Sequence, residues 1–384
     1  MKFIVERDDL VDAVNWVARS LSTRPIKLEL LGILIDVDTS ITLTGSDLET
    51  STKAILKADI ATKGKVLVPG RLLAEISRAL PNKPITFLLD GNRVLVTAGS
   101  SKFTLPTLAT TEYPALPSIP ETIGMVDSNT FSSAVGQVAF AAAKDDTILR
   151  YTGVHIALKK NTMVLAATDK YRIAVKEISW QTKSEDLDTS LLLRARTLSE
   201  AVKSLTSAPH IAFALSQTDA KERLVGFVSD LKTMTTRTLN EDFAKFEQLF
   251  AFEPAAKISL EVQSLLNAVK RVALVTDKTV PLRLNFADNV LKLEAGADQD
   301  AQATEELEID YSGSPISVGF NPIYLAEGLQ ALNHEFAEIR FTPDPKDNSL
   351  PDPKKQVILI GKSKIDGEID GSYKYAIMPM RYNS

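Results

Sequence analysis

The sequence predicts an α+β protein made of three similar domains, each with two helices packed on antiparallel sheet. Three observations predict it: the chain is 384 residues long, a helical pattern recurs three times, and strand patterns lie between the helices. A chain of this length exceeds one ordinary hydrophobic core, so several domains are expected. With 44% hydrophobic and 24% charged residues, the composition is typical of globular proteins.

The first helix of each domain is predicted by a shared apolar stripe. The stretches "DDLVDAVNWVARSL" from residue 8, "NTFSSAVGQVAFAA" from 129 and "VQSLLNAVKRVALV" from 262 have apolar residues at positions i, i+3, i+4 and i+7. This spacing places them on one helix face. Three of the four positions are also identical in residue type, which the helical period does not require. The matched columns are Leu10, Phe131 and Leu265; Ala13, Ala134 and Ala268; Val14, Val135 and Val269; and Val17, Val138 and Val272.

The second helix of each domain is predicted by two leucines seven residues apart. They occur in "VPGRLLAEISRALP", "RARTLSEAVKSL" and "NPIYLAEGLQAL". Runs such as "LLGILIDV", "ITLTG", "GVHIAL" and "MVLAAT" lie between the helices and are typical of strands. Gly32 follows Leu10 by 22 residues, as Gly153 follows Phe131. The repeat therefore reads helix, strands, helix, strands, over about 125 residues, three times.

Two short proline-bearing stretches, 114–124 and 250–257, predict the domain boundaries. The predicted domains are residues 1–124, 125–254 and 255–384. Joints this short favour domains packed edge to edge. Because bare sheet edges promote aggregation, we expect the domains to be joined by their edges and closed against a second copy.

Composition excludes several classes of protein. There are no cysteines, so disulfides, thiolate metal sites and cysteine nucleophiles are excluded. The opening "MKFIVERDDL" lacks the apolar run of a signal peptide, and no apolar stretch is long enough to span a membrane, so a cytoplasmic location is predicted. The net charge of −5 argues against binding nucleic acid by overall charge alone.

A search for catalytic residues yields no convincing site. The three histidines are scattered, and His155 is predicted to be a structural histidine with its hydrogen bonds satisfied. The "GKS" at 361–363 lacks the first glycine of a phosphate loop, and the acidic loop 342–355 lacks calcium-site spacing. No metal or cofactor is predicted. Two alternatives stay open: a repeat-built enzyme with Asp47, Glu49 or Asp169 as acids, and a peptide-binding scaffold that does not touch DNA.

Several stretches resemble the bacterial sliding clamp family, the beta subunit of DNA polymerase III. They are the "MKF" opening, "ATDKYRIAV" at 167–175, "FNPIYLAEGLQAL" at 320–332 and "MPMR" at 378–381. The resemblance covers the whole chain. It implies a DNA clamp fold and a head-to-tail homodimer, closed into a ring of six domains with helices lining the central hole. Such a ring encircles duplex DNA, is opened by a clamp loader, and tethers polymerases and repair proteins without catalytic activity.

The resemblance also accounts for the acidic net charge, because a ring is retained on DNA by enclosure and needs few phosphate contacts. Local positive charge is the relevant quantity, and it is in excess over 69–83, 194–205 and 261–278. Two further arginines are implied by the resemblance, on loops beside the first helices. The predicted DNA-contacting residues are Arg24, Arg71, Arg78, Arg150, Arg196, Lys203, Lys270 and Arg271.

In the family, partner proteins insert a short peptide, rich in glutamine and leucine with an apolar end, into a groove between the second and third domains. Methionine is suited to the wall of such a groove because its unbranched thioether adapts to different partners. Lys170 stands where relatives more often carry glycine, and Ala244 where proline is frequent. The residues that match the groove are Tyr151, Thr168, Arg172, Ile173, Ala244, Phe246, Leu249, Met378, Pro379, Met380 and Arg381.

The resemblance implies a ring joint between the first domain of one subunit and the third domain of the other. It pairs Phe103 and Leu105 with Leu274 and Val275, and chain-distant apolar sites of this kind fit a closed twofold interface. The loop acids Asp298 and Asp300 are expected to face Arg71 or Lys102 across this joint.

Overall fold

The structure, a computed structural model, describes residues 1–216, 222–276, 280–296 and 301–381. Its α-helices coincide with the six predicted helical stretches and begin and end within a few residues of them. They are α1 (Arg7–Ala18), α2 (Gly70–Ala79), α3 (Ser128–Ala139), α4 (Ala195–Leu205), α5 (Val262–Val272) and α6 (Pro322–Leu332). None of the helices in the described ranges is both long enough and apolar enough to cross a membrane.

The strands fill the intervals between these helices. Those of the first interval and its flanks are β1 (Lys2–Val5), β2 (Gly32–Val37), β3 (Ile41–Ser46), β4 (Thr50–Leu56), β5 (Asp59–Thr62), β6 (Gly64–Pro69), β7 (Ile85–Asp90), β8 (Arg93–Ala98) and β9 (Ser101–Pro106). The middle of the chain forms β10 (Thr122–Asp127), β11 (Gly153–Lys159), β12 (Thr162–Thr168), β13 (Arg172–Ser179), β14 (Gln181–Thr182), β15 (Asp188–Arg194), β16 (His210–Leu215), β17 (Leu224–Val228) and β18 (Lys232–Arg237). The last third forms β19 (Ala256–Glu261), β20 (Leu282–Ala287), β21 (Val290–Ala295), β22 (Ala303–Glu308), β23 (Ile316–Phe320), β24 (Phe336–Phe341), β25 (Val357–Lys362) and β26 (Tyr373–Ile377).

These strands form four sheets, and all their pairings are antiparallel. Two sheets are small, with orders β5-β1-β7-β8-β9 and β22-β21-β20-β23. Two are large, with orders β14-β10-β16-β17-β18-β4-β3-β2-β6 and β15-β11-β12-β13-β26-β25-β24-β19. Each large sheet contains strands from two successive repeats. We call the pairing of β4 with β18 the first joint and the pairing of β13 with β26 the second joint.

The chain divides into two compact units, each built around one large sheet. The first comprises Met1–Asn129, Trp180–Glu185 and Glu200–Thr238, and the second comprises Thr130–Ser179, Asp186–Ser199 and Leu239–Ser384. The predicted boundary after residue 124 falls inside β10, whereas the boundary after residue 254 falls in coil before β19. The domain limits therefore stay a prediction.

The apolar stripe of each first helix is buried, as its period predicts. Within the first unit α1 packs on α2, β3 and β4, and within the second unit α5 packs on α6 and β21. Leu10, Phe131 and Leu265 are all fully buried. Burying a side chain of this size contributes about 1.5–3 kcal/mol, so the stripes supply much of the folding free energy.

The repeated glycines are explained by a close approach across a strand pair. A Cβ atom on Gly32 would lie 2.5 Å from Cδ1 of Leu67, and a Cβ atom on Gly153 would lie 2.6 Å from Cδ1 of Leu192. Leu67 and Leu192 lie on β6 and β15, which pair with the strands that these glycines begin. The same packing constraint is therefore met twice in the chain.

The start of α6 shows how the local sequence sets a helix boundary. Asn321 caps it, because its side-chain oxygen accepts hydrogen bonds from the backbone N–H groups of Ile323 at 2.9 Å and Tyr324 at 3.3 Å. Pro322 occupies the first helical position, where its missing N–H costs nothing. Asn333 ends the helix in the left-handed conformation, with φ 53°. The side chains of α6 are thereby placed in a fixed register against β26.

Candidate functional site

The turn between β12 and β13 is held by side-chain hydrogen bonds to its own backbone. The carboxylate Oδ1 of Asp169 accepts from the N–H groups of Tyr171 at 3.1 Å and Arg172 at 3.2 Å. The hydroxyl of Thr168 donates to the carbonyl of Arg172 at 2.6 Å and accepts from the N–H of Lys170 at 3.2 Å. Lys170 has φ 83°, a left-handed conformation that glycine adopts at less cost. Lys170 therefore occupies a position where the backbone of the turn favours glycine.

The guanidinium of Arg172 lies inside the protein. Its Nε donates to Asp169 Oδ2 at 3.0 Å, Nη1 donates to Glu327, and Nη2 donates to the carbonyl of Phe140 at 2.8 Å. The ring of Tyr324 lies 4.1 Å from the guanidinium carbon, a stacking distance. Only 2% of the side chain is exposed. Arg172 therefore supports the turn from inside, and its place among the groove residues stays a prediction.

The pKa of Arg172 reflects its charged partners in this interior network. Burial by itself would lower the pKa of Arg172, but Tyr375, Glu327 and Asp169 act in the opposite direction and raise it above its ordinary value. The hydroxyl of Tyr375 in turn donates to the carbonyl of Tyr324 at 2.8 Å. The arginine therefore stays charged at every physiological pH.

An apolar cluster includes residues of the second large sheet and of the segment before β19. Ile173 and Phe246 are buried in it, with Leu249 partly buried against them. Further members are Ala166, Ile358, Ile360 and Ala376, with Val164, Val175, Phe243, Phe250 and Phe252 packed at its border. Ala244, in the same connecting segment, is exposed. The segment that links the second and third repeats therefore supplies aromatic side chains to this cluster, where one wall of the groove is predicted.

His155 supports this segment from β11. Its ring stacks on Phe243, with centroids 4.9 Å apart, and meets the edge of Phe246 at 6.3 Å. Burial lowers the pKa of His155, which favours the neutral ring, while the charge of Glu247 acts in the opposite direction. The prediction of a structural histidine agrees with this packing, but its hydrogen bonds are not satisfied as predicted, since Nδ1 has no partner among the described residues.

The methionine segment after β26 is held by its main chain. The N–H of Met378 donates to the carbonyl of Tyr171 at 2.7 Å, and the N–H of Met380 donates to the carbonyl of Gly319 at 2.8 Å. The side chain of Met378 remains accessible, with 36% of the residue exposed. Pro379 and Met380 are half-buried, and Arg381 is exposed. A fixed backbone with accessible thioethers is suited to form a second wall of the groove.

Two further predicted groove residues lie close to the turn. Tyr151 ends a short 3-10 helix, and the ammonium of Lys170 lies 5.2 Å from the centre of its ring. Thr168 is buried, with its hydroxyl used within the turn. Thr168 therefore holds the turn, whereas Tyr151 presents a partly exposed ring beside it.

All eight predicted DNA-contacting cations are exposed: Arg24, Arg71, Arg78, Arg150, Arg196, Lys203, Lys270 and Arg271. Arg71 and Arg78 lie seven residues apart on α2, and Arg196 and Lys203 lie seven apart on α4. A spacing of seven places both members on one helix face. The same pair of positions is therefore basic in two successive repeats.

Arg150 and Arg271 each have a carboxylate partner. Arg150 Nε lies 3.5 Å from Glu241 Oε2. Arg271 donates from Nε to Glu305 Oε2 at 2.9 Å, and this hydrogen bond raises the pKa of Arg271 and lowers that of Glu305. Their charge is partly balanced within the chain, so we expect them to attract phosphate less than an unpaired arginine would.

The predicted dimer residues differ in accessibility. Leu274 is 84% exposed, Phe103 is 37% exposed, and Val275 is half-buried. Leu105 has no exposed area, because it points from the edge strand β9 into the core of its own sheet. A side-chain contact from Leu105 to a partner is therefore not supported. Asp298 and Asp300 lie outside the described residues.

Two acids of the enzyme alternative, Asp47 and Asp169, hold turns. Asp47 accepts hydrogen bonds from the N–H groups of Glu49 at 3.1 Å and Thr50 at 2.7 Å, as Asp169 does in its own turn. Among the described residues, no three acidic or histidine side chains are placed to hold a metal ion.

The sequence analysis missed the residues that surround Arg172. Glu327 and Tyr324 face it from α6, and Phe140 accepts from it just beyond α3. A signal was present in "NPIYLAEGLQAL", where Tyr324 and Glu327 are three residues apart and share a helix face. Their partner, however, is distant in sequence.

Comparison with known proteins identifies the family. Models of the DNA polymerase III beta subunit match residues 1–117 (N-terminal domain), 125–245 (central domain) and 247–381 (C-terminal domain). The beta sliding clamp of Streptomyces coelicolor is 44% identical over 382 residues, covering 99% of both chains. The chain belongs to the DNA polymerase III beta-subunit family. This family consists of non-catalytic DNA sliding clamps, so the predictions of a sliding clamp and of a protein that is not an enzyme are confirmed.

Other relatives agree with this assignment. A beta sliding clamp homolog, GriR, from Streptomyces muensis is 36% identical over 384 residues and covers all of both chains. The Pseudomonas aeruginosa beta subunit has the same fold, with a TM-score of 0.87 at 24% identity over the full length of both chains. A Pseudomonas aeruginosa clamp bound to griselimycin has a TM-score of 0.88 at 24% identity, again over the full length of both chains. The predicted clamp fold of three domains, with helices on antiparallel sheets, is confirmed.

Membership of this family also indicates the process and the partners. Its members are DNA replication proteins that act on DNA as dimers, together with a clamp loader and polymerases. A scaffold that does not touch DNA is therefore not favoured.

Proposed function

We propose that two copies of this chain close into a cytoplasmic ring around duplex DNA, and that the second joint carries the groove that captures partner proteins. The three repeats, with limits at 1–124, 125–254 and 255–384, are the domains of each half-ring. Members of this family are sliding clamps, and the proposal adds which residues of this chain perform each task.

One observation supports the groove most strongly. Two methionines stand on a backbone that is hydrogen-bonded to Tyr171 and Gly319, beside an apolar cluster that contains Ile173 and Phe246. Exposed apolar side chains on a rigid frame suit an apolar peptide end, because little ordering is needed on binding. Leu249, Ala244, Pro379 and Tyr151 border the same region, and exposed Arg381 is available to a peptide carbonyl or acid.

Deletion of residues 378–384 tests the groove. The shortened chain should no longer bind a fluorescein-labelled peptide that is rich in glutamine and leucine and has an apolar end. Its solution mass should remain that of a dimer, near twice 41.9 kDa. A chain that lacks only 382–384 is the matched control and should keep its affinity. Unchanged peptide binding after the longer deletion would refute the groove.

The ring is proposed to close between β9 of one copy and the segment Ala273–Val275 of the other. Phe103 and Leu274 are the apolar side chains that remain accessible on these two elements. Leu274→Asp should place a charge in that contact, which is costly when desolvated. Sedimentation at micromolar concentration should then show monomers, and an intact dimer would exclude this closure.

DNA is proposed to pass along the basic faces of α2 and α4, with Arg24 and Lys270 adding charge. Retention by enclosure requires DNA without free duplex ends. Clamps placed on nicked circles by a clamp loader should therefore remain bound until the DNA is linearised. Protein that stays on linear DNA equally long would indicate ordinary binding instead.

Arg71→Ala combined with Arg78→Ala should lower the salt dependence of DNA binding by up to about two phosphate contacts, whereas Arg271→Ala should change it less.

A further inference from the structure

A continuous series of contacts connects α6 to the methionine segment. Glu327 on α6 accepts from the guanidinium of Arg172, which also donates to Asp169 Oδ2 at 3.0 Å. The other oxygen of Asp169 accepts from the N–H of Tyr171 at 3.1 Å. The carbonyl of Tyr171 accepts from the N–H of Met378 at 2.7 Å.

We propose that Glu327 is a positioning residue for the groove: through Arg172 it fixes the turn 168–171, and through that turn the place of Met378. The inference rests on the proposed function, because it concerns the same groove. Glu327 itself belongs to a helix and was not among the predicted groove residues. Its effect on a peptide would therefore be indirect.

Burial makes this connection strong. The side chain of Arg172 is 2% exposed and that of Asp169 is 10% exposed, so their charges are shielded little by solvent. A buried guanidinium with one carboxylate partner removed is strongly destabilised. Without Glu327, Arg172 should change position to recover a partner. Because Arg172 and Tyr171 share Asp169, the turn should change with it.

The outer partner of Glu327 offers a matched control. Lys144 Nζ lies 4.0 Å from Glu327 Oε1, and its side chain is 83% exposed. Exposed ion pairs of this length contribute little. Lys144→Ala therefore removes a charge next to the same carboxylate without disturbing Arg172, whereas Glu327→Gln keeps the shape of the residue and weakens its hold on the guanidinium.

The test compares these two variants in the full chain. Fluorescence anisotropy with the labelled peptide should show a dissociation constant that is on the order of tenfold higher for Glu327→Gln, and within about twofold of the parent for Lys144→Ala. Methionine methyl NMR gives a readout that general destabilisation would not produce. The signals of Met378 and Met380 should shift in Glu327→Gln without peptide, while that of Met163, which is fully buried in β12, should stay in place.

The outcomes separate this inference from the proposed function. Equal peptide affinity and unmoved Met378 and Met380 signals in Glu327→Gln would overturn it. An equal loss in Lys144→Ala would also overturn it, because surface charge would then be the cause. If the parent chain binds no peptide, the groove assignment fails, and the methyl shifts alone decide whether Glu327 positions the methionine segment.

Discussion

The first and second joints have the same backbone but different surfaces. In the first, Asp47 Oδ1 accepts from Glu49 and Thr50, and Leu48 has φ 79°. In the second, Asp169 Oδ1 accepts from Tyr171 and Arg172, and Lys170 has φ 83°. Ser46 and Thr168 make the same pair of hydroxyl hydrogen bonds. The turn is therefore a property of the repeat and does not by itself create a groove.

The two joints differ in the row of side chains that crosses their paired strands. In the first joint, Ser46, Ser51 and Thr235 lie opposite one another on β3, β4 and β18. The equivalent row in the second joint is Thr168, Ile173 and Ala376. All six residues are buried, and the hydroxyl of Ser46 is hydrogen-bonded to the carbonyl of Thr50 and to the hydroxyl of Ser51. The second joint thus has a mainly apolar row beneath the predicted groove, where the first joint has a hydroxyl-bearing row.

The residue that follows each turn, Thr50 in the first joint and Arg172 in the second, also differs between the joints. Thr50 shares a hydroxyl hydrogen bond of 3.1 Å with Thr236 across the first joint. Its counterpart Arg172 connects the turn to α6 and to the end of α3. The comparison teaches that the two joints share one backbone frame, and that the second differs from the first by its apolar row and its internal ion-pair network.

The largest effect is expected when the network residue of the second joint is replaced by that of the first. Arg172→Thr would leave Asp169 and Glu327 without their partner in a mostly buried site. Loss of one member of a buried ion pair costs roughly 3–5 kcal/mol. Urea unfolding should show this decrease, and Thr50→Val in the first joint, which removes one hydroxyl bond, should cost about 1 kcal/mol. Similar costs for both would show that the two joints do not differ in this respect.

A second exchange targets the surface of the groove. The double variant Ile173→Ser, Ala376→Thr gives the second joint the row found in the first. Removing buried apolar groups at Ile173 should lower stability by roughly 2–3 kcal/mol, and peptide binding should fall with the lost apolar surface. Anisotropy with the labelled peptide measures the second effect. Retained affinity would mean that the row does not distinguish the joints.

The buried cation of the first joint allows a smaller test. Lys232 on β18 is 7% exposed at its side chain; its Nζ donates to Asp12 at 2.8 Å and to the carbonyl of Ser204 at 3.3 Å. Asp12→Ala leaves this ammonium with the carbonyl alone and should cost roughly 1–2 kcal/mol, a modest value because Asp12 is itself largely exposed. Lys232→Met removes the charge but keeps the apolar stem, so it should cost less. The reverse order in urea unfolding would contradict this account, and neither variant should change peptide affinity.

The helices were predictable because their signal is local. An apolar stripe located the first helix of each repeat and leucines seven residues apart located the second, while the resemblance assigned residues of the stretch 167–175 and of the methionine segment to the groove. The joints were not predictable from the residues alone, because β4 pairs with β18 across roughly 180 residues and β13 pairs with β26 across about 200. The burial of Arg172 depends on α6, which is also distant in sequence. For Leu105, the alternation of β9 buries the side chain, whereas the resemblance paired this residue with the partner subunit, and that pairing stays a prediction.

The smallest effect is expected at alkaline pH. It concerns the segments before β10 and before β19, which we call the covering segments of the first and second joints. The segment before β10 contributes Tyr113, whose hydroxyl lies 3.5 Å from the carbonyl of Thr44, whereas the segment before β19 contributes Phe243. Burial raises the pKa of Tyr113 to about 12 from its usual 10. The folded state therefore holds this proton more tightly than the unfolded state does. Its contribution is complete below pH 10 and is lost as the pH rises towards 12.

Tyr113→Phe should remove this loss. At pH 11 the parent should have lost up to about 1 kcal/mol through Tyr113, and less to the extent that solvent reaches the phenol. The variant should thus lose less stability than the parent between pH 9 and pH 11 in urea unfolding. Phe243→Tyr is the matched change in the other segment and should introduce a new alkaline loss if that site is equally buried. Parallel pH profiles for the parent and Tyr113→Phe would show that Tyr113 titrates alike in both states, and that the two covering segments do not differ in this way.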